Sequence, residues 1–209
     1  MTNDLSYCKI LDFPPLPSEL VQQALSITAD PSKSYLHIPP DTETLDNNNG
    51  SGSIYNRYQV SSEIFDWVTE NIPLSYRPQD FKIGIQVFRP LGDLGMYDPH
   101  TDGHRGPYVL NYLIDPGGDN VLTKWYHEEG YDLIRPKGVL LKTFKNLTEV
   151  HSECIPQGSW FCLYARVVHA VINIERPRIA LSIGIDHMVA PGGNDPPTAG
   201  YQPTVIPFN

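Results

Sequence analysis

A chain of 209 residues with 40% apolar content and a formal net charge of −9 suits one domain in water. No run approaches the roughly 18 apolar residues of a membrane helix, and an anionic surface argues against sequence-independent binding to nucleic-acid phosphates. The start, Met1 to Asp4, has no basic segment leading into an apolar run, and Cys8, Cys154 and Cys162 form an odd, unpatterned set; no export signal is read, the cysteines are read as free thiols, and a cytoplasmic chain is expected.

Taken in chain order, the first 79 residues are expected to be the helical part. Ser18 is placed to cap a helix running to about Thr28, with Leu20, Val21, Ala24 and Leu25 on one face. Asp41 to Ser53 is polar and contains glycine, so it buries little apolar surface and reads as a flexible loop, either a lid or a plain insertion. Ser61 or Ser62 caps a second helix, with Ile64, Trp67, Val68 and Ile72 as its apolar stripe.

From residue 80 the period changes to two. Phe81, Ile83, Ile85 and Val87 alternate with Lys82, Gly84, Gln86 and Phe88, which is strand behaviour. Further strands are expected at Tyr108–Ile114, Val121–Tyr126, Tyr131–Ile134, Val139–Thr143, Thr148–Glu153, Trp160–Tyr164, Val168–Ile174 and Ile179–His187. Asp115-Pro116-Gly117-Gly118, Glu129-Gly130, Pro136-Lys137-Gly138 and Pro156-Gln157-Gly158 mark turns between them. Many short strands after two helices indicate a mainly β fold over residues 80–187, a two-sheet barrel or jelly roll with the helices packed outside. The proline-containing stretch 188–209 is expected to be irregular.

Within this pattern stand His100-Thr101-Asp102, and His169 followed nine residues later by Arg178. Residues i and i+2 of an extended segment point the same way, so His100 and Asp102 can share one ion. Two histidines and a carboxylate can occupy one face of iron(II) and leave the other face open. Arg178 leads into the apolar run Ile179 to Ile185. A charge there is expensive to bury unless it meets an anion, and a guanidinium holds a carboxylate in two-pronged fashion. Arg176 competes for that role, but Pro177 separates it from the strand.

These segments resemble the iron(II)- and 2-oxoglutarate-dependent oxygenases, whose double-stranded β-helix, a cupin-like jelly roll, carries an H-x-D…H…R/K pattern. The resemblance covers roughly Lys82 to Ile185. Phe88-Arg89-Pro90 leading to His100-Thr101-Asp102 is similar to the first core strand. Tyr108 to Asp119, with its Gly117-Gly118 turn, looks like the prolyl-hydroxylase-like branch; Pro156 to Phe161, His169-Ala-Val and Arg178 to Ser182 look like the closing half.

The resemblance implies His100, Asp102 and His169 as iron ligands and catalytic centre, and Arg178 as partner of the distal carboxylate of 2-oxoglutarate. It implies O2 as co-reactant, succinate and CO2 as products, and ascorbate as a candidate reductant. Some relatives carry a serine two residues after the arginine; here that position is Ala180, so a second hydroxyl contact falls to Tyr108, Tyr112 or Ser182. By the same resemblance, retention of Asp102 favours hydroxylation or another oxidation over halogenation. Asn111, Trp125 and Arg89 are candidate substrate contacts, Trp125 with a core role as the alternative. Asn111 and its neighbour Tyr112 face opposite sides of a strand, so at most one points inward. The expected substrate is a small molecule or a peptidyl residue; oligomeric state is not read. Two other readings compete: a zinc hydrolase or cupin-like metal binder that also uses His104, and a noncatalytic β-sandwich with incidental histidines.

Overall fold

The computed structural model describes residues 7–38, 55–73, 76, 83–90, 97–101, 108–134, 141–164 and 167–183. The loop expected at 41–53 and the irregular stretch at 188–209 lie outside the described residues, as do Asp102 and His104.

Two α-helices are present, α1 at Ser18–Thr28 and α2 at Ser62–Asn71. Ser61 caps α2, its Oγ accepting from the Ile64 N–H at 3.3 Å, so one of the orphan donors of the first turn is satisfied. Ser18 does not cap α1: it is the first helical residue, and the capping position is Pro17, which offers no side-chain acceptor. No helix among the described residues is long and apolar enough to cross a membrane.

Thirteen strands follow the chain among the described residues. They are β1 at Cys8–Leu11, β2 at Leu36–Ile38, β3 at Tyr55–Gln59, β4 at Ile83–Phe88, β5 at Tyr97–His100, β6 at Tyr108–Asp115 and β7 at Leu122–His127. After them come β8 at Gly130–Ile134, β9 at Leu141–Lys145, β10 at Thr148–Glu153, β11 at Trp160–Tyr164, β12 at Val168–Ile172 and β13 at Arg178–Ile183. The region before residue 80 is therefore not only helical, because β1, β2 and β3 lie in it.

A seven-stranded sheet runs β1-β11-β6-β13-β4-β3-β2, a four-stranded sheet runs β10-β7-β12-β5, and β8 pairs with β9. Consecutive strands are often not neighbours. β13, for instance, lies between β6 and β4, antiparallel to both. This is the mainly β, jelly-roll architecture.

The large sheet separates two apolar layers by strand alternation. Its outer face carries Ile83, Ile85, Val87, Leu110, Tyr112, Trp160, Leu181 and Ile183, packed with Ala24 of α1 and Ile64 and Val68 of α2. Fully burying such a side chain contributes roughly 1.5–3 kcal/mol. Trp67 of α2 stacks on Trp160 at 6.5 Å with the rings 4° from parallel. The inner face carries Leu113, Phe161, Leu163 and Ala180, which meet Trp125 of the four-stranded sheet. Asn111, Trp125, His169, Arg178 and Ser182 lie in this inner layer.

The turn after β6 is built around Gly117, which has φ 84°, a left-handed conformation that favours glycine. A Cβ there would stand 2.7 Å from the Arg176 carbonyl oxygen and 3.0 Å from the Arg178 Cβ. Gly117 O also accepts from the N–H groups of Glu175 and Arg176, both at 2.9 Å. This turn therefore fixes where β13 begins. Gly117→Ala is expected to lower stability by about 2 kcal/mol. A thermal or denaturant melt checks it, and an unchanged midpoint would show that the turn relaxes freely.

Candidate functional site

His169 lies on β12, opposite His100 of β5 and Trp125 of β7 in the antiparallel register. Side chains of register partners share one face. The His100 and His169 ring centroids are 4.5 Å apart. Trp125 packs with Leu113, Phe161 and Ala180 of the facing sheet, so this shared face is the inner one. His169 is 3% exposed, and its Nδ1 is 2.9 Å from the Val167 carbonyl oxygen. A carbonyl can only accept, so Nδ1 carries the hydrogen and, in the neutral ring, the lone pair sits on Nε2, the arrangement a metal-binding imidazole uses. Asp102 is outside the described residues. It stands two positions beyond His100, which ends β5.

Arg178 opens β13 opposite Phe88 of β4. Phe88 packs against the cluster of Val121, Val171 and Ile174, and Val171 lies two residues along β12 from His169, so Arg178 and His169 face one interior from opposite sheets. Arg178 is 4% exposed, and its Nη1 donates to the Pro116 carbonyl oxygen at 3.5 Å, a long contact. No carboxylate among the described residues forms a salt bridge with it. Burial pulls its pKa down to about 10, with nearby Cys154, Cys8 and Asp115 acting weakly the other way; it still stays charged at neutral pH. Arg176 contrasts with it: half exposed, it pairs with Asp115 at 3.1 Å.

The other candidates divide by strand parity. Asn111 and Ser182 are register partners on β6 and β13. Both are buried on the inner face, and neither Asn111 Oδ1 nor Ser182 Oγ has a hydrogen-bond partner among the described residues. Of the adjacent pair, therefore, Asn111 points inward. Tyr112 points to the helix-packed layer, its ring 5.0 Å from that of Trp160, and burial raises its hydroxyl pKa. This corrects its candidacy: the alternation that turns Asn111 in turns Tyr112 out. Arg89 is likewise turned away, since it donates to Asn56 Oδ1 at 2.5 Å, and Asn56 pairs with outer-facing Val87. Tyr108 begins β6, but its side chain lies outside the described residues.

His151 follows Trp125 in the same cross-strand row, stacks on Tyr7 at 5.5 Å and has Glu153 at 3.4 Å. Those contacts make it a structural histidine. Cys8, Cys154 and Cys162 form no disulfide. Burial pushes the Cys8 and Cys162 thiols up to about 12, so neither offers a thiolate nucleophile.

Among the buried polar residues that the sequence reading missed are Gln86 of β4 and Arg57 of β3. They are register partners, and Gln86 also pairs with inner-facing Ala180. Arg57 crosses above Gly84, where a Cβ would meet its Nε at 2.7 Å, and lies 5.8 Å from the Tyr35 ring. The segment Tyr55-Asn-Arg-Tyr-Gln has no period-two pattern, since Tyr55 and Tyr58 stand three apart; two strand-favouring tyrosines were the available signal for β3.

No family model matches the chain, and no curated protein sequence matches it. Several solved structures are similar. A prolyl-4-hydroxylase from Pseudomonas putida is 13% identical with a TM-score of 0.43, over 86% of this chain and 92% of that one. A prolyl hydroxylase from Trichoplax adhaerens, solved with a hypoxia inducible factor peptide fragment, is 12% identical with a TM-score of 0.46, over 86% and 83%. The alpha-ketoglutarate-dependent epimerase SnoN from nogalamycin biosynthesis is 12% identical with a TM-score of 0.43, over 94% and 87%. At such identities the chemistry of the site has to stand on its own residues.

Proposed function

We propose that this chain is an iron(II)- and 2-oxoglutarate-dependent dioxygenase that hydroxylates a C–H bond of a small molecule or peptidyl residue, releasing succinate and CO2. The observation that carries the reading is the buried Arg178, without a carboxylate partner among the described residues, facing the same interior as the His100–His169 pair. A buried cation is costly unless an anion meets it, and a dicarboxylate reaching from a metal to Arg178 supplies that anion.

The donor set fits the implied group. His169, oriented by the Val167 carbonyl, and His100 beside it offer two imidazoles, and Asp102 would complete a two-histidine, one-carboxylate face. Iron(II) held there supplies an open coordination face for O2 and for an oxoacid. Arg178 holds the distal carboxylate by charge-assisted hydrogen bonds, and Ser182 Oγ offers a further donor from the same strand. Arg178, four positions before Ser182, thereby fixes the orientation of the oxoacid. Leu113, Phe161 and Ala180 keep water from the inner layer, which strengthens these polar contacts.

An anaerobic titration tests the reading. Metal-free protein is loaded with iron(II), and 2-oxoglutarate is added while the visible spectrum is recorded. A weak charge-transfer band that saturates with the oxoacid is the expected result. A fully iron-loaded protein with no band would sink the proposal and favour the zinc-hydrolase or structural readings.

A further inference from the structure

We propose that the indole N–H of Trp125 is a further donor to the distal carboxylate of the bound oxoacid, which makes Trp125 a cosubstrate-binding residue. The inference rests on the oxygenase reading above and deepens it by one residue.

Three observations converge on it. Trp125 is completely buried, and its Nε1 has no hydrogen-bond partner among the described residues. An indole nitrogen only donates, and buried donors without an acceptor are rare in folded proteins. The side chain lies on the inner face beside His169, its register partner on β12. Across the interior it shares a cluster with Ala180, the residue between Arg178 and Ser182 on the inner face of β13.

The ring contacts of Trp125 do not use the N–H as a donor to an oxygen: Tyr7 lies at 6.0 Å and His151 at 5.3 Å between centroids. Ser182 Oγ on the opposite wall lacks a partner as well. Trp125 thus faces the inner row of β13, Arg178, Ala180 and Ser182, across the interior from the other sheet. A carboxylate has about four acceptor positions, enough for the arginine fork, the serine hydroxyl and the indole together. The near carboxylate of the oxoacid has the metal as its counter-charge. The distal carboxylate, away from the metal, depends on such donors.

The test compares wild type with Trp125→Phe, each loaded with iron(II) without oxygen and titrated with 2-oxoglutarate and with 2-oxobutyrate, which lacks the distal carboxylate. Trp125→Phe is expected to bind 2-oxoglutarate on the order of tenfold more weakly, the factor a single charge-assisted hydrogen bond carries. Its affinities for 2-oxobutyrate and for iron(II) should match wild type. Equal 2-oxoglutarate affinities in the two proteins would overturn the assignment. So would a parallel loss for both oxoacids, which would put the indole at the metal end. If the variant does not fold, 3-benzothienylalanine placed at position 125 removes the N–H and keeps the ring shape, and the same comparison decides. A wild type that gives no band with either oxoacid would instead refute the oxygenase reading on which the proposal rests.

Discussion

Arg178→Met is expected to weaken 2-oxoglutarate binding by about thirtyfold or more while raising the melting temperature of the protein without ligand. The two effects have one origin. In the folded chain the guanidinium is 4% exposed and has one long contact, to the Pro116 carbonyl, with no salt bridge to a described carboxylate. Keeping a charge in such a place costs several kcal/mol, and replacing buried charges by apolar side chains of similar volume is often stabilising by about 1–4 kcal/mol. Methionine fills much of the space and carries no charge. The anion loses its counter-charge, and removing one partner of a buried charge pair costs about 2–5 kcal/mol of binding. Calorimetric titration and a melt of the same preparation read both numbers. Unchanged oxoacid affinity would make Arg178 purely structural, and a lower melting temperature would mean that it has a stabilising partner within the chain.

His169→Ala is expected to reduce iron(II) affinity by a hundredfold or more and to leave the fold intact. The ring is held by the Val167 carbonyl, which leaves the lone pair on Nε2, and it is oriented before any metal arrives. Deleting it removes an oriented ligand and opens a cavity of imidazole shape, whose own stability cost is about 1–3 kcal/mol. Added imidazole should restore part of the iron affinity. That rescue separates a ligand from a packing residue, because a packing residue would regain stability without regaining metal. Metal affinity unchanged by the substitution would remove His169 from the ligand set.

Most strands were legible because alternation is local. Thr148–Glu153 and Trp160–Tyr164 have their expected limits, and both helices lie where their apolar spacing puts them. The N-terminal strands were not legible. Cys8–Leu11 is four residues long, and it is a strand because β11 pairs with it, not because of its own pattern. The inward turn of Asn111 and the outward turn of Tyr112 depend on which sheet each face meets. The period gives two faces and does not label them. Ser18 satisfied the cap rule by composition, but the helix begins one residue earlier than that rule requires, after Pro17. The juxtaposition of Arg178 with His169 could be expected only from the family resemblance, since the partners of β13 are fixed by long-range pairing.

The pairing of β1 with β11 also has a consequence for synthesis. Cys8 finds its partner in Leu163, and Leu11 in Trp160. On a ribosome adding about 5–20 residues per second, the first strand waits roughly 10–30 s for its neighbour to be made. β4 waits in the same way for β13, its inner neighbour in the large sheet. Helices can form as they emerge, but the layer that joins Arg178 to the histidines can assemble only after the chain as far as Ile183 has left the tunnel. Truncated chains ending before β13 would therefore present unpaired strand edges, the form most prone to aggregate.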